Sequence, residues 1–200
     1  RFVKKLDNDV FLFEMHVNEA WIQLLLGEVE KAAEALQGAD GMRKVVNAVP
    51  VELSAFYRSQ MEYYLFQLKA SQEKGHPSDI IKVKKKAVKT GKMLIKTSQK
   101  AAYHRIESYK LTGLYYWLTG KPQKSFKLWR KAIVEGIQLG ADLELSRLYF
   151  EVGKQLMLSD NKNELLDGLG AKAYLKKAKE MFQRMDLKWD LEELNKLVQQ

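Results

Sequence analysis

The chain has 200 residues, a net charge of +9 and 46% hydrophobic residues, a balance that excludes a disordered segment and allows a buried core. Its 12 Gly and 3 Pro are too few for an all-β sandwich or barrel with many tight turns. The absence of Cys excludes a disulfide framework and thiolate chemistry, and agrees with a reducing compartment, expected here to be cytoplasmic.

No apolar run is long enough for a transmembrane helix, and no signal peptide is readable. The first residue is Arg1 and not Met, as expected for a domain taken from a longer protein. The apolar periodicity is helical nearly everywhere. Val10, Phe13, Val17, Ala20, Trp21, Leu24 and Leu25 recur at three- and four-residue steps, and Gly27 stops that helix. A second helix carrying Val29, Ala32, Ala33 and Leu36 is expected to end in the Gly38–Gly41 stretch, and Met42–Val49 reads as one short helix. Pro50 suits the first turn of a helix reaching about Lys74, because its missing N–H would be unpaired there. Gly75-His76-Pro77 breaks that helix, and Ser78 is the expected N-cap of the next.

Residues 79–97 place Ile80, Val83, Ala87, Val88, Gly91, Leu94 and Ile95 on one face. Lys82, Lys85, Lys86, Lys89, Lys92 and Lys96 fall on the other. Twelve basic residues lie between Lys69 and Lys110, opposed there only by Glu73, Asp79 and Glu107, so this window holds the whole net charge. Further helices are expected over about Gln99–Leu118, Pro122–Leu139, Leu143–Leu158, Ala171–Met185 and Leu187–Gln199. Gly120-Lys121-Pro122, Gly140 and a polar loop over Ser159–Gly170 separate them. No strand is readable. Short turns between so many helices imply an all-α fold of antiparallel helix hairpins.

The segment YKLTGLYYWLTGKPQKSFKLWRKA, Tyr109 to Ala132, resembles a tetratricopeptide repeat. Tyr109 and Tyr116 stand at large aromatic positions, Gly113 where two helices cross and Gly120 at the inter-helix turn. Ser125, Trp129 and Ala132 take the second-helix positions. Ser146, Tyr149 and Gly153 repeat the spacing of Gly113, Tyr116 and Gly120, with Ala171, Leu175 and Ala178 as the late second helix. Ala20, Gly27, Val29, Ala32 and Leu36 fit the template less fully. The resemblance implies a right-handed array of hairpins, a tetratricopeptide-like α-solenoid, forming one domain over 1–200. Its units span about 9–38, 53–97, 99–139 and 142–185, with a capping helix over 187–199. The unit 53–97 fits poorly and reads either as a degenerate repeat or as an insertion.

Residues 117–156, WLTGKPQKSFKLWRKAIVEGIQLGADLELSRLYFEVGKQL, followed by AYLKKAKEMFQRMDLKWDLEEL, are also similar to the C-terminal helical region of large multidomain signalling proteins. In those, a nucleotide-cyclase or kinase domain and an AAA-type ATPase domain precede the helices. Their catalytic motifs do not occur in this sequence, so the resemblance implies a non-catalytic interaction or regulatory module.

Mapping the repeat template onto the chain gives a concave-face partner surface of Glu107, Lys110, Leu114, Tyr116, Trp117, Arg147 and Phe150, with Leu143 and Glu151 beside the last two. Glu14, Val17, Trp21 and Leu24 are the corresponding residues of the first unit. The expected partner is a peptide segment or a neighbouring domain of the parent chain. The same apolar residues could instead pack against a capping helix. The lysine face is a second candidate surface, for nucleic acid, an anionic membrane surface or an acidic partner, or it is simply solvated. The scarcity of Arg and of interleaved aromatics weighs against base readout and stacking. A small-molecule sensor is a third reading. His16, His76 and His104 form no ligand cluster, so no metal or cofactor is expected. Ser54, Ser59, Ser108 and Ser146 lack a nucleophile context, and no enzyme is expected.

Overall fold

A computed structural model describes residues 2–43, 45–74, 77–161 and 164–199. Among them are nine α-helices and one 3-10 helix; the only strand-like feature is a single isolated bridge. The helices are α1 (Phe2–Leu25), α2 (Val29–Arg43), α3 (Pro50–Lys74), α4 (Pro77–Ser98), the 3-10 turn (Ala102–His104), α5 (Arg105–Leu118), α6 (Pro122–Leu139), α7 (Asp142–Met157), α8 (Ala171–Arg184) and α9 (Lys188–Val198). Neighbouring helices pack together, which is compatible with a helical-repeat domain. The chain forms two compact units, Arg1–Tyr115 and Tyr116–Gln200, and the boundary falls inside α5.

In the first unit α1 packs on α2, burying Phe13, Val17 and Ala20 together with Ala32, Ala35, Leu36 and Ala39. The second helix does not end in the Gly38–Gly41 stretch as its glycines suggest. It runs to Arg43, because Gly38 lies under the His16 ring, where a Cβ would meet the imidazole at 3.0 Å. Packing overrides the low helix propensity of glycine there. In place of the expected short helix over Met42–Val49, Met42 and Arg43 end α2, and the described residues 45–49 form no helix. Met42 closes a turn by accepting from the N–H groups of Val45 and Val46, and among the described residues 45–49 only Val46 is buried.

Pro50 opens α3 as expected, and the Glu52 carboxylate accepts from the Val49 N–H at 2.8 Å, half of a capping box. Gly75 and His76, the expected breakers, lie outside the described residues. Ser78 is not the N-cap of α4, because the helix already begins at Pro77. α3 and α4 bury Met61, Leu65 and Leu68 with Val83, Ala87 and Leu94. The helix expected from Gln99 begins only at Arg105. The Lys100 and Ala101 N–H groups close turns onto Thr97 and Ser98, and the Ser98 hydroxyl donates to Ser108 at 3.0 Å across the reversal. No Gly or Pro marks that break in the sequence.

In the second unit Gly120 takes φ +70° in the turn where the repeat pattern expects it. Phe126 and Trp129 of α6 lie with Trp117 in a cluster of tilted rings 5.5–6.2 Å apart. Gly153 is not at an inter-helix turn. It sits inside α7, where a Cβ would meet Leu175 of α8 at 2.7 Å, so it is a crossing point. The polar loop contains a two-residue turn at Asp167-Gly168, both with positive φ, closed by paired hydrogen bonds between Leu166 and Leu169 at 3.0 Å. Arg130 of α6 donates to Asp167, and the Tyr174 hydroxyl donates to the Leu166 carbonyl at 3.1 Å.

Two glycine substitutions of opposite sign test this packing. Gly41, inside α2, has nothing near its missing Cβ, so Gly41→Ala is expected to raise stability by about 0.5–1 kcal/mol. Gly153→Ala must displace Leu175, including its backbone nitrogen at 3.0 Å, and is expected to lower stability by about 1–3 kcal/mol. Urea denaturation midpoints read both.

Candidate functional site

The expected partner surface divides between the two units. In the second, its members are engaged in internal packing. Arg147 of α7 grips the buried carboxylate of Asp190 on α9 with two hydrogen bonds of 2.9 and 3.0 Å. Phe150 meets Phe182 of α8 edge-on at 6.1 Å. Trp117 belongs to the aromatic cluster with Trp129, and the Lys124 ammonium lies over the Tyr116 ring at 5.6 Å. The expected capping helix is therefore in contact with the face assigned to Arg147.

In the first unit Leu114 is buried and is a core residue rather than a surface anchor. Glu107 and Lys110 form an ion pair of 2.8 Å, with only 18% and 14% of their side chains exposed. That pair belongs to a charged cluster with Glu62 and Arg58 of α3. Burial, reinforced by the Glu107 charge, pushes the Glu62 carboxyl up to about 7, against the opposing pull of Arg58 and Lys110. Arg58 lays its guanidinium over the Trp21 ring at 4.5 Å. Burial and the Arg58 charge hold the His104 imidazole below its ordinary value, although Glu107 pulls the other way, so the ring is neutral at pH 7.

Beside this cluster is an open cleft of about 200 Å³. α1 contributes Phe13, Glu14, Val17 and Asn18, α3 contributes Val51, Glu52 and Ala55, and the 3-10 turn contributes His104. Two of these, Glu14 and Val17, are among the concave-face residues of the sequence template. The α3 residues and His104 are not: Ala55 lies in the poorly fitting unit 53–97, Val51 and Glu52 stand just before it, and His104 precedes the match that starts at Tyr109. The signal that could have found them is the spacing of Val51, Ala55, Arg58 and Glu62, which puts them along one helical face.

Of the seven lysines of α4, Lys84 is half-buried; Lys82, Lys85, Lys86, Lys89, Lys92 and Lys96 are exposed, and none of these six makes an ion pair among the described residues. No group of three or more metal-ligating side chains comes together among the described residues. No helix among them is long and apolar enough to cross a membrane. No protein-family model matches the chain, and no curated protein matches it.

The raised Glu62 carboxyl makes stability depend on pH with a definite sign. Between its ordinary value of 4.5 and about 7 the folded chain holds a proton that the unfolded chain has released. Stability therefore falls as pH rises through that window. Glu62→Gln is expected to flatten this slope and to be more stable than the parent at alkaline pH, by about 1–3 kcal/mol. Urea unfolding of both proteins on either side of the window decides it. In the second unit, Arg147→Ala strands the buried Asp190 carboxylate and is expected to cost about 1–3 kcal/mol. Asp190→Asn in that background should recover part of the loss, and hydrogen exchange should localise it to residues 188–198.

Proposed function

We propose that this chain is a non-catalytic interaction module built of tetratricopeptide-like antiparallel helix hairpins. Its cleft between α1 and α3 takes a short segment of another protein or of an adjoining domain of the parent chain. The observation that supports this reading is the make-up of the cleft. Apolar Phe13, Val17, Val51 and Ala55 stand together with hydrogen-bonding Glu14, Asn18, Glu52 and neutral His104. A volume of about 200 Å³ suits one or two side chains. It lies below the several hundred cubic ångströms of a typical small-molecule site, which weighs against a metabolite sensor.

The hairpin reading draws on the repeat signature over residues 105–182 and on the pairing of α1 with α2, α3 with α4 and α7 with α8. The resemblance to helical regions of signalling proteins makes the module regulatory within a larger parent. The bound segment adds apolar burial on the walls, while the polar groups select its side chains.

A random-peptide library panned on the protein tests the assignment. A family of enriched peptides is expected, and Ala55→Met, which fills the cleft without breaking α3, should weaken them at least about tenfold. Thermal unfolding checks that the variant is folded. Peptides that bind parent and variant equally place the interaction elsewhere, and no enrichment at all removes the reading.

A further inference from the structure

We infer that α4 docks the first unit on an anionic lipid bilayer. Val83, Ala87, Thr90, Gly91, Leu94 and Thr97 face the core. Lys82, Lys85, Lys86, Lys89, Lys92 and Lys96 occupy the opposite arc, all six exposed and without ion pairs among the described residues. At an α-helical rise they extend over about 21 Å on one straight helix. A straight row of ammonium groups suits a flat sheet of headgroups, each lysine adding to the attraction. The arc contains no arginine for bidentate base contacts and no aromatic for base stacking.

A second feature selects the bilayer over nucleic acid. Ile81, Val88 and Ile95 recur at seven-residue steps, so they form a strip along one flank of the lysine arc. Val88 and Ile95 are half-buried, but Ile81 is 67% exposed. An isoleucine beside a lysine row has no use on a phosphate backbone. At a membrane surface it enters the boundary between headgroups and acyl chains while the lysines stay in the headgroup layer. Nothing here requires a membrane-spanning helix, and this docking is independent of the cleft.

Vesicle co-sedimentation of the whole chain tests the inference. Vesicles of phosphatidylcholine with about 30% phosphatidylserine are compared with pure phosphatidylcholine, and binding is followed from about 0.05 to 0.5 M salt. The expected result is sedimentation with the anionic vesicles alone, weakening as salt rises. Lys85→Glu with Lys89→Glu should reduce it at least about tenfold. Ile81→Gln should reduce it a few-fold on vesicles and leave binding to a DNA duplex or single-stranded RNA unchanged. No sedimentation at physiological salt overturns the proposal, as does sedimentation that survives the Lys→Glu pair. Tighter binding to DNA or RNA at the same salt assigns the lysine face to nucleic acid, and an Ile81→Gln variant indistinguishable from the parent on vesicles overturns the role given to the isoleucine strip. Circular dichroism on each variant confirms that α4 is intact.

Discussion

At Gly153 the backbone of α7 lies so close to Leu175 of α8 that an added Cβ would sit 2.7 Å from the leucine Cγ. Gly91 and Gly136 hold similar places, with Thr112 at 3.2 Å and Leu145 at 3.0 Å. Around them Ala20, Ala32, Ala39, Ala87, Ala132 and Ala178 have no exposed surface. Close approach of helix backbones is the constraint on which the rest of the packing depends. It gives dispersion contact along the crossings, and it leaves spaces beside them that Phe13, Phe56, Trp129, Tyr174 and Phe182 fill. Helices separated by larger side chains would bury less and would lose the register that places polar residues on the remaining faces.

The two units use their charges differently. In the second, Arg147 with Asp190 and Arg130 with Asp167 each join elements far apart in sequence, so opposite charges close the packing. In the first, Glu62, Glu107, Lys110 and Arg58 crowd near an open cleft, and one carboxyl is pushed far enough to keep its proton near neutrality. Such a cluster costs stability, because a buried carboxyl must give up part of its hydration and lie near a like charge.

Much of the helical order was legible because Pro50, Gly120, Pro122 and Gly140 stand where helices start or stop. The failures share one cause. Gly38 and Gly41 read as a stop, and Gly153 as a turn equivalent, but Gly38 and Gly153 answer to a neighbouring helix that the local sequence does not reveal. The break after Ser98 left no trace because serine hydroxyls and backbone turns make it, without Gly or Pro. For the site, Glu14 and Val17 were found from the repeat template, whereas Ala55, Arg58, Glu62 and His104 lay in or beside the stretch that matches it least. Arg147 illustrates the converse. Its position on the repeat face was readable, but its buried partner, 43 residues further on, was not.

The stack of Arg58 on Trp21 has an optical consequence. The chain contains four tryptophans, and Trp117, Trp129 and Trp189 all belong to the second unit. Trp21 is thus the sole indole of the first, with a guanidinium held 4.5 Å from its ring centre, one helical turn along α3 from Ala55. Indole emission responds to a cation over its face, so with the other three replaced by phenylalanine, Trp21 becomes a built-in lamp beside the cleft. Its colour would follow any occupant that shifts Arg58, with no dye attached to the protein.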